Sequence, residues 1–108
     1  MDIAEVDWKL LRTLKPAALD RFCDGVLREI AEVGADQGKT SHERYLAVFD
    51  LIQERNDTLA AAFDGLRRST ALIQLAHMRR LTLITDEEFG RFSPETREAV
   101  HRISGLGR

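Results

Sequence analysis

From Tyr45 to Ile84 one set of positions recurs at alternating intervals of four and three residues, without a slip. Tyr45, Phe49, Ile52, Asn56, Leu59, Phe63, Leu66, Thr70, Ile73, His77, Arg80 and Ile84 make up this stripe. That interval is the heptad repeat by which α-helices pair along a seam. Read as heptads, Tyr45, Ile52, Leu59, Leu66 and Ile73 fall at d, while Phe49, Asn56, Phe63, Thr70, His77 and Ile84 fall at a. Asp50, Asp57 and Asp64 recur seven apart at b, a solvated outer row. No segment shows the clean period of two that marks a half-buried strand. The 108 residues, 44% apolar and 31% charged, suit one folded domain covering 1–108. The fold class is therefore all-α: a bundle of about five helices around one long central helix, continuous or kinked, assembled as a dimer.

Local signals place the helix ends. The spacing predicts a first helix over Ile3 to Leu14, with Ile3, Val6, Leu10 and Leu14 on one face and Pro16 as its stop. The same proline suits the first turn of a second helix carrying Leu19, Phe22, Cys23, Val26, Ile30 and Val33, with Gly34 as the residue just past its end. Thr40 with Glu43, and Thr85 with Glu88, form capping boxes. Ser93 caps a last helix with Pro94 in its first turn and Gly105 at its end. Gly65 is the natural breaking point of the long helix, yet the heptad phase runs across it. A continuous helix is the preferred reading.

Length then argues for a partner. A helix over 41–83 at about 1.5 Å per residue is about 64 Å long. A compact chain of this size has a radius of gyration of about 13 Å. Residues 71–83, "ALIQLAHMRRLTL", are apolar on nearly every side and need cover. A second copy is the simplest supplier, in an isologous two-fold pair. The expected interface is Phe49, Ile52, Asn56, Leu59, Phe63, Leu66, Thr70, Ile73 and His77, with Asn56 as the group that sets register at some cost in stability.

Candidate chemistry is sparse. Cys23, the single cysteine, excludes an internal disulfide and reads as a core residue of a chain in a reducing compartment. The acidic start "MDIAEVDWK" has no apolar signal core, and no run is long enough to span a bilayer, which points to a cytoplasmic chain with no membrane role. His42, His77 and His101 stand at no metal-binding spacing, and neither a catalytic residue nor a cofactor is expected.

Two constellations support other functions. Glu29 and Glu32 form ExxE, and after twenty-one intervening residues Glu54 and Asp57 form ExxD. The arrangement is similar to the acidic pattern of the all-α nucleoside triphosphate pyrophosphatases. That resemblance implies a Mg²⁺-dependent hydrolase in which these four carboxylates hold the metal against a triphosphate. In the heptad frame Glu54 and Asp57 lie at f and b, facing away from the seam, which favours a solvated acidic face. Arg67, Arg68, Arg79, Arg80, Arg91, Arg97 and Arg102, set on short helices of helix-turn-helix outline, suggest a DNA-binding regulator. The last 24 residues also carry Asp86, Glu87, Glu88, Glu95 and Glu98, which repel phosphate. The net charge of −2 gives the chain no general pull towards nucleic acid, and its division into a net −5 over residues 1–66 and a net +3 over 67–108 suits head-to-tail pairing of two chains. The preferred function is self-association and protein-partner binding, with no catalysis by the chain itself.

Overall fold

A computed structural model describes residues 2–105, all helix and connection, with no strand among them. The helices are α1 (Glu5–Gly34), α2 (Ser41–Phe63), α3 (Ala71–Arg80), α4 (Asp86–Gly90) and α5 (Pro94–Ser104), and a 3₁₀ turn at Arg68–Thr70 precedes α3. The body measures 51 × 27 × 21 Å, with a radius of gyration of 16.5 Å against about 13 Å for a compact chain of this length. The excess is an arm. The outer half of α1 pairs with α2 and projects from a head built by the inner half of α1, α3, α4 and α5.

The long helix is α1, where two helices were expected. Pro16 lies inside it. A proline there removes the hydrogen bond to the Arg12 carbonyl and crowds it, at a cost of about 3 kcal/mol. Against that, Leu11, Leu14, Ala18 and Phe22 form one buried stripe crossing the proline. Each large side chain hidden contributes about 1.5–3 kcal/mol, so a break that turned half the stripe to solvent would cost more than the bend. The inner face is also rotated from the expected one. Val6 is 70% exposed, and its neighbour Asp7 is buried. Gly34 is the last helical residue, not the one beyond it, and α1 ends through Ala35.

The continuous helix over 41–83 is not formed. α2 ends at Phe63, Asp64 is extended, and Gly65 takes φ +63°, which glycine adopts without strain. Gln74, buried on α3, donates from Nε2 to the carbonyl of Asp64 at 2.9 Å and to that of Ala62 at 3.4 Å. The last carbonyls of α2 thus gain a partner where the helix stops. Folding back lets α3 bury Ala71, Leu72, Leu75, Ala76 and Met78 within its own chain, chiefly against α5 with its Ala99 and Val100. Most of the apolar segment 71–83 thus finds cover within the one chain, while Ile73 stays exposed.

Both capping boxes form. Thr40 Oγ1 accepts from the Glu43 amide at 3.1 Å, and Thr85 Oγ1 from the Glu88 amide at 3.1 Å. Ser93 caps α5 with Pro94 in its first turn, and Gly105 closes it in the left-handed region at φ +72°.

Two polar ties hold the head together. Asp7 of α1 sits at the start of α5, where its carboxylate accepts from the Ser93 amide at 3.1 Å and from the Ser93 and Thr96 hydroxyls, each at 2.6 Å. Burial pushes this carboxyl up, but the hydrogen bonds from the Ser93 side chain, Thr96 and the Ser93 backbone outweigh it and hold it below the usual range. Arg21 reaches across from α1 to Glu88 with two parallel bonds of 2.8 and 3.0 Å, and also donates to the Leu83 carbonyl. The hydrogen-bonded Arg21 guanidinium, helped by the Thr85 amide, lowers the Glu88 carboxyl to about 2.

Asp7→Ala leaves three donors at the α5 start without their acceptor and is expected to cost about 2–4 kcal/mol, read by urea denaturation. Both carboxyls are depressed in the folded state. The stability they add is therefore complete above the unfolded range of about 4–4.5 and is lost as pH falls towards about 2. The urea midpoint should drop over that interval, and an Asp7→Ala/Glu88→Gln variant should show a flatter fall.

Candidate functional site

The arm has no interior. From Cys23 to Ala61 no residue is buried, whereas Phe22 and Ala62 on either side of that stretch both are. The base is closed by Phe22 and Phe63, whose rings meet edge to face at 6.4 Å. Beyond it the contact between α1 and α2 is only half-covered: Val26, Ile30 and Val33 on one side, Ala47, Val48, Leu51 and Leu59 on the other. Two helices share one contact line, so each can hide only one stripe.

α2 carries two stripes. Its inner one runs through Arg44, Ala47, Val48, Leu51, Arg55, Thr58 and Ala62. Its outer one is the near half of the expected seam: Tyr45 at 67% exposure, Phe49 at 50%, Ile52 at 40%, and exposed Asn56. Leu46, also exposed, flanks it. Leu27, 63% exposed, and Cys23 lie across the α1–α2 contact from the cleft described below, as the outer stripe of α2 does. The arm therefore presents an apolar face with contributions from both helices. Cys23 is exposed on it, not in the core as expected, because the inner stripe of α1 runs through Phe22 and Val26.

The nine residues expected at the interface do not stay together. Phe49, Ile52 and Asn56 share the outer face of the arm. Phe63 is buried in the core, with Leu59 and Leu66 packed against it. Thr70 ends the 3₁₀ turn, where its hydroxyl donates to Gln74 Oε1. Ile73 and His77 ride on α3, the first 55% exposed and the second half-buried. The reversal at Gly65 separates these groups.

The acidic constellation closes on a cation of the chain itself. Arg55 on α2 donates from Nε to Glu29 on α1 at 2.9 Å and from Nη1 to Glu54 at 3.0 Å. Its guanidinium occupies the place between the helices where facing carboxylates would meet a metal. Glu32 and Asp57 are exposed. No group of three or more metal-ligating side chains gathers among the described residues. Several of the arginines offered for phosphate are likewise engaged at home. Arg79 donates to the Ile84 carbonyl and Asp86 and stacks on Phe89 at 4.4 Å; Arg68 donates to the Ile3 carbonyl; Arg102 pairs with Glu98. No described helix is long and apolar enough to cross a membrane.

A cleft of about 560 Å³ opens at the base of the arm on the other side of the helix pair, between α1, α2 and the α3–α4 connection. Arg21, Arg28, Arg55, Thr58 and Thr82 line it, and a side chain at Gly25 would meet nothing within 4 Å. Its three guanidinium groups are each paired, with Glu88, Asp24 and Glu29 respectively, so it is a weak receptor for an anion. Thr82, two residues beyond the end of α3, takes φ +59°, a strained setting for a β-branched residue. No family model, curated protein or solved structure matches the chain.

Sequence reasoning missed Asp7, Gln74 and the Arg55 bridge, because each depends on what another helix brings near. Only the outer stripe of α2 was visible beforehand, in the heptad phase. Thr82→Gly is expected to raise stability by about 1 kcal/mol in thermal or urea unfolding, since glycine accepts the left-handed turn without the Cβ penalty.

Proposed function

We propose that the protein acts by self-association through the arm, each arm covering the apolar face of another copy to give a four-helix bundle. The observation that carries this reading is an arm of 39 residues, 23–61, with no buried side chain and an aromatic and aliphatic stripe turned outward. Helices draw most of their stability from packing an apolar face, and a helix pair left half-wet is short of it. A second copy fits by size. α2 has 23 residues and is about 35 Å long, and two helices side by side are about 20 Å wide. The face is thus roughly 700 Å², close to the roughly 800 Å² per partner of a stable interface. The contact stripe is uncharged, although the two arms that meet there share one net sign. Residues 23–61 carry four basic and eight acidic side chains, net −4, while the rest of the chain is net +2. The outer face itself bears no acid among Tyr45, Phe49, Ile52 and Asn56, so pairing buries no uncompensated charge.

In this reading Asn56 sits at the edge of the contact as a polar group in a mostly apolar stripe, where it limits the alignments two arms can adopt. The exposed thiol of Cys23 suits a reducing compartment such as the cytoplasm. A different protein presenting a complementary helix pair is the alternative occupant.

Phe49→Asp/Ile52→Asp places two acids on the face without touching the head. Sedimentation equilibrium should give a dimer for the wild type at micromolar concentration, and a helical monomer for the variant with dissociation strengthened at least 100-fold. A wild type that is monomeric at 100 µM would contradict the proposal.

A further inference from the structure

We infer that the paired arms run antiparallel, so that Tyr45 of one protomer meets the partner's Asn56 and Phe49 meets the partner's Ile52. This rests on the arm-to-arm pairing proposed above and adds its direction. The four outward residues are spaced four, three and four along α2, a pattern that reads the same from either end. Tyr45 and Asn56 are eleven residues apart, three turns within about 20° of one line and about 16 Å along it. A two-fold axis crossing α2 midway between Phe49 and Ile52 therefore carries Tyr45 onto Asn56 and Phe49 onto Ile52.

The chemistry of the stripe has the same symmetry. Its middle is apolar, and each end carries a group that both donates and accepts, a phenol hydroxyl at one and an amide at the other. Antiparallel pairing gives each end an unlike polar partner and seats a ring against a branched chain in both central layers. Parallel pairing matches every residue with itself. It also sets the two net positive heads side by side, whereas the net −4 arms overlap in either arrangement. The antiparallel arrangement carries each arm tip towards the oppositely charged head of its partner, and keeps the heads apart.

A charge exchange at the two ends tests this. Tyr45→Lys/Asn56→Asp creates opposite charges across an antiparallel contact but like charges across a parallel one. Tyr45→Asp/Asn56→Asp creates like charges in both. Both positions are exposed, so the fold of one chain is not at stake. Sedimentation equilibrium at low salt should show the Lys/Asp variant dimerising within about tenfold of wild type and the Asp/Asp variant weakened at least 100-fold, as juxtaposed like charges cost several kcal/mol. Equal weakening of the two would overturn the inference while leaving the pairing intact. A monomeric wild type would remove the pairing itself, a separate readout. A spin label at Gln37→Cys in a Cys23→Ser background gives a second measure: tips roughly 30 Å or more apart if antiparallel, and under roughly 20 Å if parallel.

Discussion

Two helices in contact can hide one stripe apiece, and α2 has two. That constraint governs the molecule. In the head a third and fourth helix supply the missing surfaces, so Leu11, Leu75, Met78 and Val100 are buried almost completely. In the arm nothing does. Burial stops at Phe22 on the way out along α1 and resumes at Ala62 on the way back along α2. The shape follows: a body half again as long as its mass requires, with its extra length made of half-covered helix.

The head solves by other means the problem that a rod of heptads poses. A turn at Gly65 costs a few helical hydrogen bonds, and Gln74 recovers part of that loss by bonding the carbonyls where α2 ends. In return α3 enters a core it shares with α5 and the loop residues Leu83, Ile84 and Phe92. The two ties from α1, Asp7 to the start of α5 and Arg21 to Glu88, then fix the helix that forms the arm to the body that carries it. A single helix thus belongs to both regions.

Features with a local cause were legible in the sequence. The capping boxes at Thr40 and Thr85, the Ser93–Pro94 start and the Gly105 stop depend on residues within four positions of each other, and all four formed. Pro16 was misread by the same local logic, since its cost is local and the burial of Leu14, Ala18 and Phe22 that outweighs it is not. The heptad phase hid the break at Gly65, because side-chain spacing carries no record of a backbone dihedral. Over Tyr45 to Asn56 it marks residues that share one exposed face of α2. Asp7 is buried where the spacing points to Val6, and Cys23 lies one position off an inward stripe that does run through Phe22 and Val26 as expected. A buried aspartate is hard to foresee without the Ser93 and Thr96 that make its burial affordable.

Hydrogen exchange of the arm against the head, followed by mass spectrometry across a hundredfold range of protein concentration, tests the account most directly. Peptides from residues 23–34 and 41–61 should exchange faster on dilution, as their cover dissociates, while those from α3 and α5 keep their protection. Arm protection that equals that of the head and does not change with concentration would contradict it.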